Sequence, residues 1–310
     1  MEARSSRREI GFGRFGAAIH GIVAASMCRL FGFRSVIPSQ VHRSLLAADN
    51  ARPEVTAVAL PGLAVPSELL PTAPASGVPD TATPDTATPD TATPDTATPD
   101  TATPDTATPD TGASGRLSPF AVRLTGAPDG VAAVREGRAR IQDEGSQLVA
   151  LALAAAPLDG PDRGAWLDLC AGPGGKAAVL SALLVQRRVA GELPDGARLV
   201  AVEAAEHRLA LVRDATVAVR GRAADAVELR AGDGRRVGAE EPDRYDRVLV
   251  DVPCTGLGAL RRRPEARWRR VPSDLAALAP VQRGLLVSAL DAVRPGGVVG
   301  YVTCSPHPAE

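Results

Sequence analysis

"GAWLDLCAGPGGKAAVLSALLVQRR", residues 164–188, is the stretch whose reading decides the fold. Its first residues form a short apolar run suited to a buried strand. A glycine-rich turn follows, and then a segment from Lys176 to Arg188 whose apolar positions recur with helical spacing. Strand, glycine turn and helix make up the opening unit of a parallel sheet, and the chain downstream repeats the pattern. "ARLVAVEA" (197–204) reads as a second strand and "EHRLALVRDATVAVR" (206–220) as a helix. "AVELRAGDG" (226–234) reads as a third strand, and "YDRVLVDVPC" (245–254) as a fourth, apolar almost throughout as a central parallel strand is. "LAALAPVQRGLLVSALDAV" (275–293) is helical, "RPGG" (294–297) a turn, and "VVGYVTCS" (298–305) a fifth strand. The expected fold class is α/β, a doubly wound and mainly parallel sheet.

Upstream, "VHRSLLAADNARPEVTAVALPGL" (41–63) suggests a helix ending near Asn50 and a strand from Val55 to Leu60. "SPFAVRLTG" (118–126) is strand-like, and "VREGRARIQDEGSQLVALALAAAPL" (134–158) leads into a helix centred on Leu148 to Leu153. Between these pieces lie six tandem copies of TATPD, Thr81 to Asp110. A proline every fifth residue forbids a continuous helix, and alanine alone cannot bury enough surface to offset ordering entropy. Residues 80–115 are therefore expected to be a disordered linker. Residues 1–39 are unassigned, apolar-leaning but broken by Arg14, His20 and Arg29, so that no run approaches the roughly 18 residues of a membrane span.

Composition narrows the function classes. The 310 residues are 45% hydrophobic and 3% aromatic, which points to a core of Ala, Val and Leu. A net charge of -1 gives no global attraction to nucleic acid or membrane, so any basic surface is local. Lys176 is the only lysine in the chain. The four cysteines, Cys28, Cys170, Cys254 and Cys304, show no zinc spacing and are too few for a disulfide framework, so reduced thiols, a cytoplasmic location and no metal are expected.

Ligands of such sheets sit at the carboxyl ends of the strands. "DLCAGPGGK", Asp168 to Lys176, follows the first strand, and Gly172, Gly174 and Gly175 let the backbone approach a ligand and turn into a helix N-terminus. The loop is neither a P-loop nor a dinucleotide G-x-G-x-x-G, and alone it indicates only a nucleotide-like ligand. Glu203 ends the second strand, where a carboxylate can accept both ribose hydroxyls, and Asp233 ends the third near the expected adenine. Together they favour an adenosine-bearing cofactor. Cys254 and Cys304 end the fourth and fifth strands, which brings two thiols together across about fifty residues of sequence. Arg261, Arg262, Arg263 and Arg267, with Trp268 among them, form a local basic patch suited to phosphate contact and base stacking.

"DLCAGPGGK", "DVPCTGLGALRRRPEARW" and "YVTCS" resemble the motifs of the RNA cytosine-C5 methyltransferase family, of the ribosomal small-subunit methyltransferase B (Sun/Fmu) type, and "IQDEGSQLVA" (141–150) resembles its segment before the first strand. The resemblance covers about Leu45 to Glu310, interrupted by the repeat. It implies a Rossmann-like methyltransferase domain over 116–310, lacking the last family strands, and a remnant of an RNA-binding region over 40–79. It implies S-adenosylmethionine as methyl donor, held by Cys170, Ala171, Gly172, Pro173, Gly174, Gly175, Lys176, Glu203, Asp233 and Asp251. It also implies methyl transfer to carbon 5 of a cytidine in RNA, small-subunit ribosomal RNA above all, by a monomeric enzyme that uses neither metal nor membrane. In the family the strand-five cysteine, here Cys304, adds to carbon 6 and the strand-four cysteine, here Cys254, assists product release. Family chains continue past the position of Glu310, and residues before about Gln40 do not resemble them. The sequence is therefore expected to be a piece cut at both ends, a weak enzyme or none, the alternative function being a noncatalytic RNA- or cofactor-binding remnant.

Overall fold

The computed structural model describes residues 54–71, 113–115 and 117–310. The expected helix ending near Asn50, residues 1–39 and the TATPD copies lie outside the described residues.

The main body is a five-stranded parallel sheet in the order β7-β6-β5-β8-β9, made of β5 (Ala165–Asp168), β6 (Arg198–Glu203), β7 (Val227–Ala231), β8 (Tyr245–Asp251) and β9 (Val293–Val302). These are the five strands expected from the sequence. The order reverses between β5 and β8, so the crevice for a ligand opens where the Asp168–Lys176 loop meets the end of β8.

Alternation along each strand feeds two cores. Trp166, Leu199, Ala201 and Leu249 pack against α2 (Glu144–Ala155), α3 (Gly175–Val189), α4 (Glu206–Ala215) and α5 (Val217–Arg222). Leu167, Val200, Val202, Val248 and Val250 face the other way, onto Val237 of α6 (Gly234–Glu240) and Leu285, Ala289 and Ala292 of α8 (Ser273–Ala292). A four-residue helix, α7 (Ala266–Arg269), precedes α8. Among the described residues α8 is the one helix long and apolar enough to cross a membrane by length and composition. Here its apolar face lies on the sheet, and Ser288 Oγ bridges Gly238 N–H (2.9 Å) and Gly234 C=O (2.7 Å) of α6.

A second, four-stranded antiparallel sheet, order β2-β3-β1-β4, contains β1 (Val55–Ala59), β2 (Ala113–Ser114), β3 (Ala121–Leu124) and β4 (Ala139–Ile141). Beside it lies α1 (Ala132–Arg135), whose Ala133 joins this sheet's core. β1 precedes the repeat in sequence yet pairs with β3 and β4, which follow it, and Ala113–Ser114, expected to be linker, pairs with β3. The physical reason is burial: Val58 and Leu60 point into the main core, while Ala57 and Ala59 pack with Val122, Ala133 and Ala139. Segments on both sides of the repeat thus complete one sheet.

"RPGG" is not a turn before the fifth strand but a bulge within β9. Val293 lies opposite Tyr245 and Val298 opposite Arg247, so Arg294–Gly297 loops out. Gly296 has φ +82°, and a Cβ on Gly297 would meet the Asp246 carbonyl at 2.8 Å. The bulge aims Arg294 at the fully buried Asp246 carboxylate.

Candidate active site

The loop after β5 turns at Gly174, φ +101°, straight into the N-terminus of α3. A Cβ there would collide with Ala215 at 2.4 Å, so only glycine brings the loop this close to α4. Gly172 is equally constrained, since a Cβ would meet Glu203 Oε2 at 2.4 Å. Glu203, 5% exposed at the end of β6, accepts from Gly172 N–H (3.0 Å) and Ala205 N–H (3.1 Å). Arg208 donates to the Gly172 carbonyl at 2.6 Å and lies 3.6 Å from Glu203. The expected ribose acceptor is therefore also the post that shapes the glycine loop.

Asp233 caps α6 by accepting from Arg235 N–H at 3.0 Å, and the Arg235 guanidinium holds its carboxyl below the usual carboxylate range. Asp251, at the end of β8, pairs with Lys176 Nζ at 2.7 Å across the switch point, and Ser146 Oγ of α2 lies 3.5 Å from the same ammonium. The single lysine of the chain is thus committed to the crevice. Ala171 and the half-buried Cys170 line the loop. Burial, with repulsion from Asp168, Glu203 and Asp251, pushes the Cys170 thiol up, so it stays protonated and takes no nucleophilic role.

Asp168, which sequence reasoning quoted but did not assign, is 1% exposed beneath the loop and accepts from Cys170 N–H at 3.3 Å. Burial first, then the Asp251 charge, push its carboxyl up from 3.8 to about 7. The folded state therefore binds this proton more tightly than the unfolded chain does. The stabilisation is full below pH 3.8 and is lost as pH rises through about 7. Asp168→Asn, which keeps the acceptor, is expected to raise stability at pH 8 by up to about 4 kcal/mol (roughly three units at 1.36 each). At pH 4 the gain is expected to fall under about 1 kcal/mol. Urea unfolding at both pH values measures this, and an equal change at both would mean that the carboxylate is ionised throughout.

The two cysteines meet as expected. Cys254 Sγ and Cys304 Sγ are 3.1 Å apart, and all three cysteines among the described residues are free thiols. The loops that carry them are joined by Gly258 N–H to the Cys304 carbonyl (2.8 Å) and by Thr255 Oγ1 to Ser305 Oγ (3.1 Å). The Cys304 thiol, with help from Thr303 and from the backbone at Cys304 and Gly256, holds Cys254 down at about 6. The same contact pushes Cys304 up, so the two sulfurs titrate as a pair that gives up its first proton more readily than a lone thiol and its second less readily.

The basic run frames this centre. Arg262 pairs with Asp143, just before α2, at 3.1 Å, and Arg270 reaches the Cys254 carbonyl at 3.5 Å and Asp274 at 3.6 Å. Arg263 and Arg267 are exposed, Arg261 is half-buried, and Trp268 is 88% exposed. No group of three or more metal-ligating side chains occurs among the described residues.

The family match now has a geometry to rest on: the 16S rRNA methyltransferase RsmB/F family matches residues 155–310. The chain belongs to the RsmB/F family. The Mycobacterium tuberculosis protein Rv1407, whose name gives it as a methyltransferase, is 58% identical over 200 residues, covering 64% of this chain and 40% of that protein. The ribosomal RNA small subunit methyltransferase B of Salmonella paratyphi B is 35% identical over 195 residues, covering 62% of this chain and 41% of that protein. The chain thus spans about 40% of the length of these relatives. The crystal structure of PH0851 superposes with a TM-score of 0.64 at 20% identity, over 93% of this chain and 54% of that one, which supports the fold.

RsmB/F methyltransferases use S-adenosylmethionine, and the residues present fit that molecule. Gln142, 7% exposed, has both amide atoms without a partner, and its Nε2 lies 3.4 Å from where a Gly175 Cβ would stand. A buried donor–acceptor pair beside a helix N-terminus suits the ends of an amino acid. The carboxylates of Glu203, Asp233 and Asp251 close the ends of β6 to β8 and match ribose hydroxyls and positive charge. Sequence reasoning missed Gln142 and Ser146, although both lie in the "IQDEGSQ" segment it had singled out.

Proposed function

We propose that this protein transfers a methyl group to carbon 5 of a cytidine in RNA, small-subunit ribosomal RNA in particular, through a covalent bond between Cys304 and carbon 6. The observation that carries the reading is the pair of thiols in contact at 3.1 Å beside the Lys176–Asp251 pair at the switch point. On this reading the protein works in the cytoplasm as a monomer.

Gly172 to Lys176, Gln142, Glu203, Asp233 and Asp251 would hold S-adenosylmethionine, which when bound supplies an electrophilic methyl group. Carbon 5 of cytosine is a poor nucleophile until a thiolate adds to carbon 6 and makes it enamine-like. Cys304, the exposed member of the pair, is the sulfur that adds. Its proton passes across the sulfur–sulfur contact to Cys254, and the Lys176 charge nearby favours the Cys304 thiolate. After methylation the carbon 5 proton leaves to solvent, the carbon–sulfur bond breaks, and Cys254 returns its proton to the departing Cys304 sulfur. The resting pair is regenerated and one proton is released per turnover. Arg261, Arg263 and Arg267 would contact phosphate and Trp268 would stack on a base, the target being swung out of its stack.

A second reading reverses the sulfurs. The hydrogen bond from Cys304 lowers the Cys254 thiol to about 6, which favours Cys254 as the nucleophile in the absence of RNA.

Tritium placed on carbon 5 of cytidine in unmodified small-subunit ribosomal RNA tests the chemistry. Tritium released to water is expected to equal methyl groups incorporated, one for one. Methyl incorporation without tritium release would move the reaction to another atom and sink the proposal.

A further inference from the structure

Cys254 is held from both sides by one pair of side chains that no sequence motif announced. Gln282, 4% exposed on α8, donates to the Pro253 carbonyl at 2.9 Å and to Glu310 Oε1 at 3.2 Å. Glu310 Oε1 accepts from Thr255 N–H at 2.8 Å, and its other oxygen accepts from the Thr255 hydroxyl. The residues before and after Cys254 are therefore tied to a single amide–carboxylate pair. Thr255 also reaches Ser305, the neighbour of Cys304, at 3.1 Å. Glu310 thus links α8, the loop after β8 and the loop after β9.

We propose that Glu310 and Gln282 are positioning residues for the two-thiol centre, holding the Cys254 loop so that its sulfur stays in hydrogen-bond contact with Cys304. A sulfur–sulfur hydrogen bond tolerates little displacement, because its strength falls steeply with distance and angle. Two backbone groups flanking Cys254, each fixed by a buried or charged partner, remove the rotation that would part the sulfurs. The consequence for methyl transfer rests on the function proposed above. The contact itself does not.

Alkylation of Cys254 by iodoacetamide in the full chain, followed by peptide mass spectrometry between about pH 5 and pH 9, tests this directly, since the thiolate alone reacts. The unmodified protein is expected to show a midpoint near about 6. Glu310→Ala is expected to raise the midpoint by about one unit, which lowers the rate at pH 6 roughly fivefold. Glu310→Gln is expected to keep the original midpoint, because its amide oxygen still accepts from Thr255 N–H while its NH2 donates to the Thr255 hydroxyl. Gln282→Leu is expected to shift the midpoint upward like Glu310→Ala, and it carries the test if Glu310→Ala does not fold. Unchanged midpoints in Glu310→Ala and Gln282→Leu would overturn the proposal. So would a lowered midpoint in both Glu310 variants, which would show that the carboxylate acts only by its charge. Absence of methyl transfer with these shifts intact would fault the proposed function and leave the positioning role standing.

Discussion

Cys304→Ala is expected to lower methyl incorporation into small-subunit ribosomal RNA by at least about 10³-fold, because removing a nucleophile removes the step that activates carbon 5. Cys254→Ala is expected to behave differently. With Cys254 gone, the contact that raises the Cys304 thiol is gone too, so Cys304 gives its proton to solvent beside Lys176 and adds. The proton that its departure requires is no longer supplied, so RNA stays bonded to the protein as an adduct that survives denaturing electrophoresis. Donor binding, read by calorimetry, is expected to be the same in both variants, since neither sulfur belongs to the residues placed around the cofactor. The geometry makes the contrast sharp: Cys304 is exposed, while Cys254 is half-buried and takes the hydrogen bond. An adduct with Cys304→Ala and none with Cys254→Ala would establish the reversed assignment.

The largest effect on stability is expected at Asp246. Its side chain is fully buried at the start of β8 and accepts from Arg163 N–H and Ala165 N–H at 3.0 Å each. It also pairs with Arg163 Nε at 3.2 Å and with Arg294. Arg294 in turn donates to the carbonyls of Asp159 and Pro161 at 2.9 Å each, so the carboxylate pins the bulge of β9 to the loop before β5. Asp246→Ala leaves a guanidinium only 12% exposed without its counter-charge and two N–H groups without acceptors. Breaking a buried pair in this way costs about 3–5 kcal/mol. Asp246→Asn keeps an acceptor for the N–H groups and is expected to cost about 2 kcal/mol. Urea unfolding with an unchanged slope measures both, and a loss under about 1 kcal/mol for Asp246→Ala would show that the bulge is held by its glycines alone.

The place of β9 bears on both results. Among the described residues it pairs only with β8, and Val299, Tyr301 and Val302 are half-buried. Among the described residues, the Cys304 loop is held by the pairing of β9 with β8, by the bulge at Arg294–Gly297, and by the loop contacts at Thr255, Gly258 and Ser305.

Much of this was legible in the sequence because its causes are local. The apolar runs of β5 to β9, the helical spacing after the glycine loop, and the carboxylates and cysteines at strand ends all follow from periods of two and 3.6 and from the rule that strand ends face the ligand. The meeting of Cys254 and Cys304 followed too, since both end strands that the fold sets side by side. Other features depend on partners far apart in sequence, and only the tertiary structure decided them. The sheet that closes across the repeat exists because Val58 and Leu60 need the main core. The bulge at "RPGG" exists because Asp246, 48 residues earlier, draws Arg294 inward. Asp168 is a strand-end acid by sequence, and it becomes a carboxyl with an unusual proton affinity only when burial and Asp251 surround it. Gln282 and Glu310 carry no local signal, because a helix-face amide and a loop carboxylate are ordinary solvated groups until Pro253 and Thr255, 29 and 55 residues away, are folded against them. Local sequence sets which face is apolar and where the chain turns; the proton affinities and the aim of the sulfurs are set by long-range neighbours, and those appear only on folding.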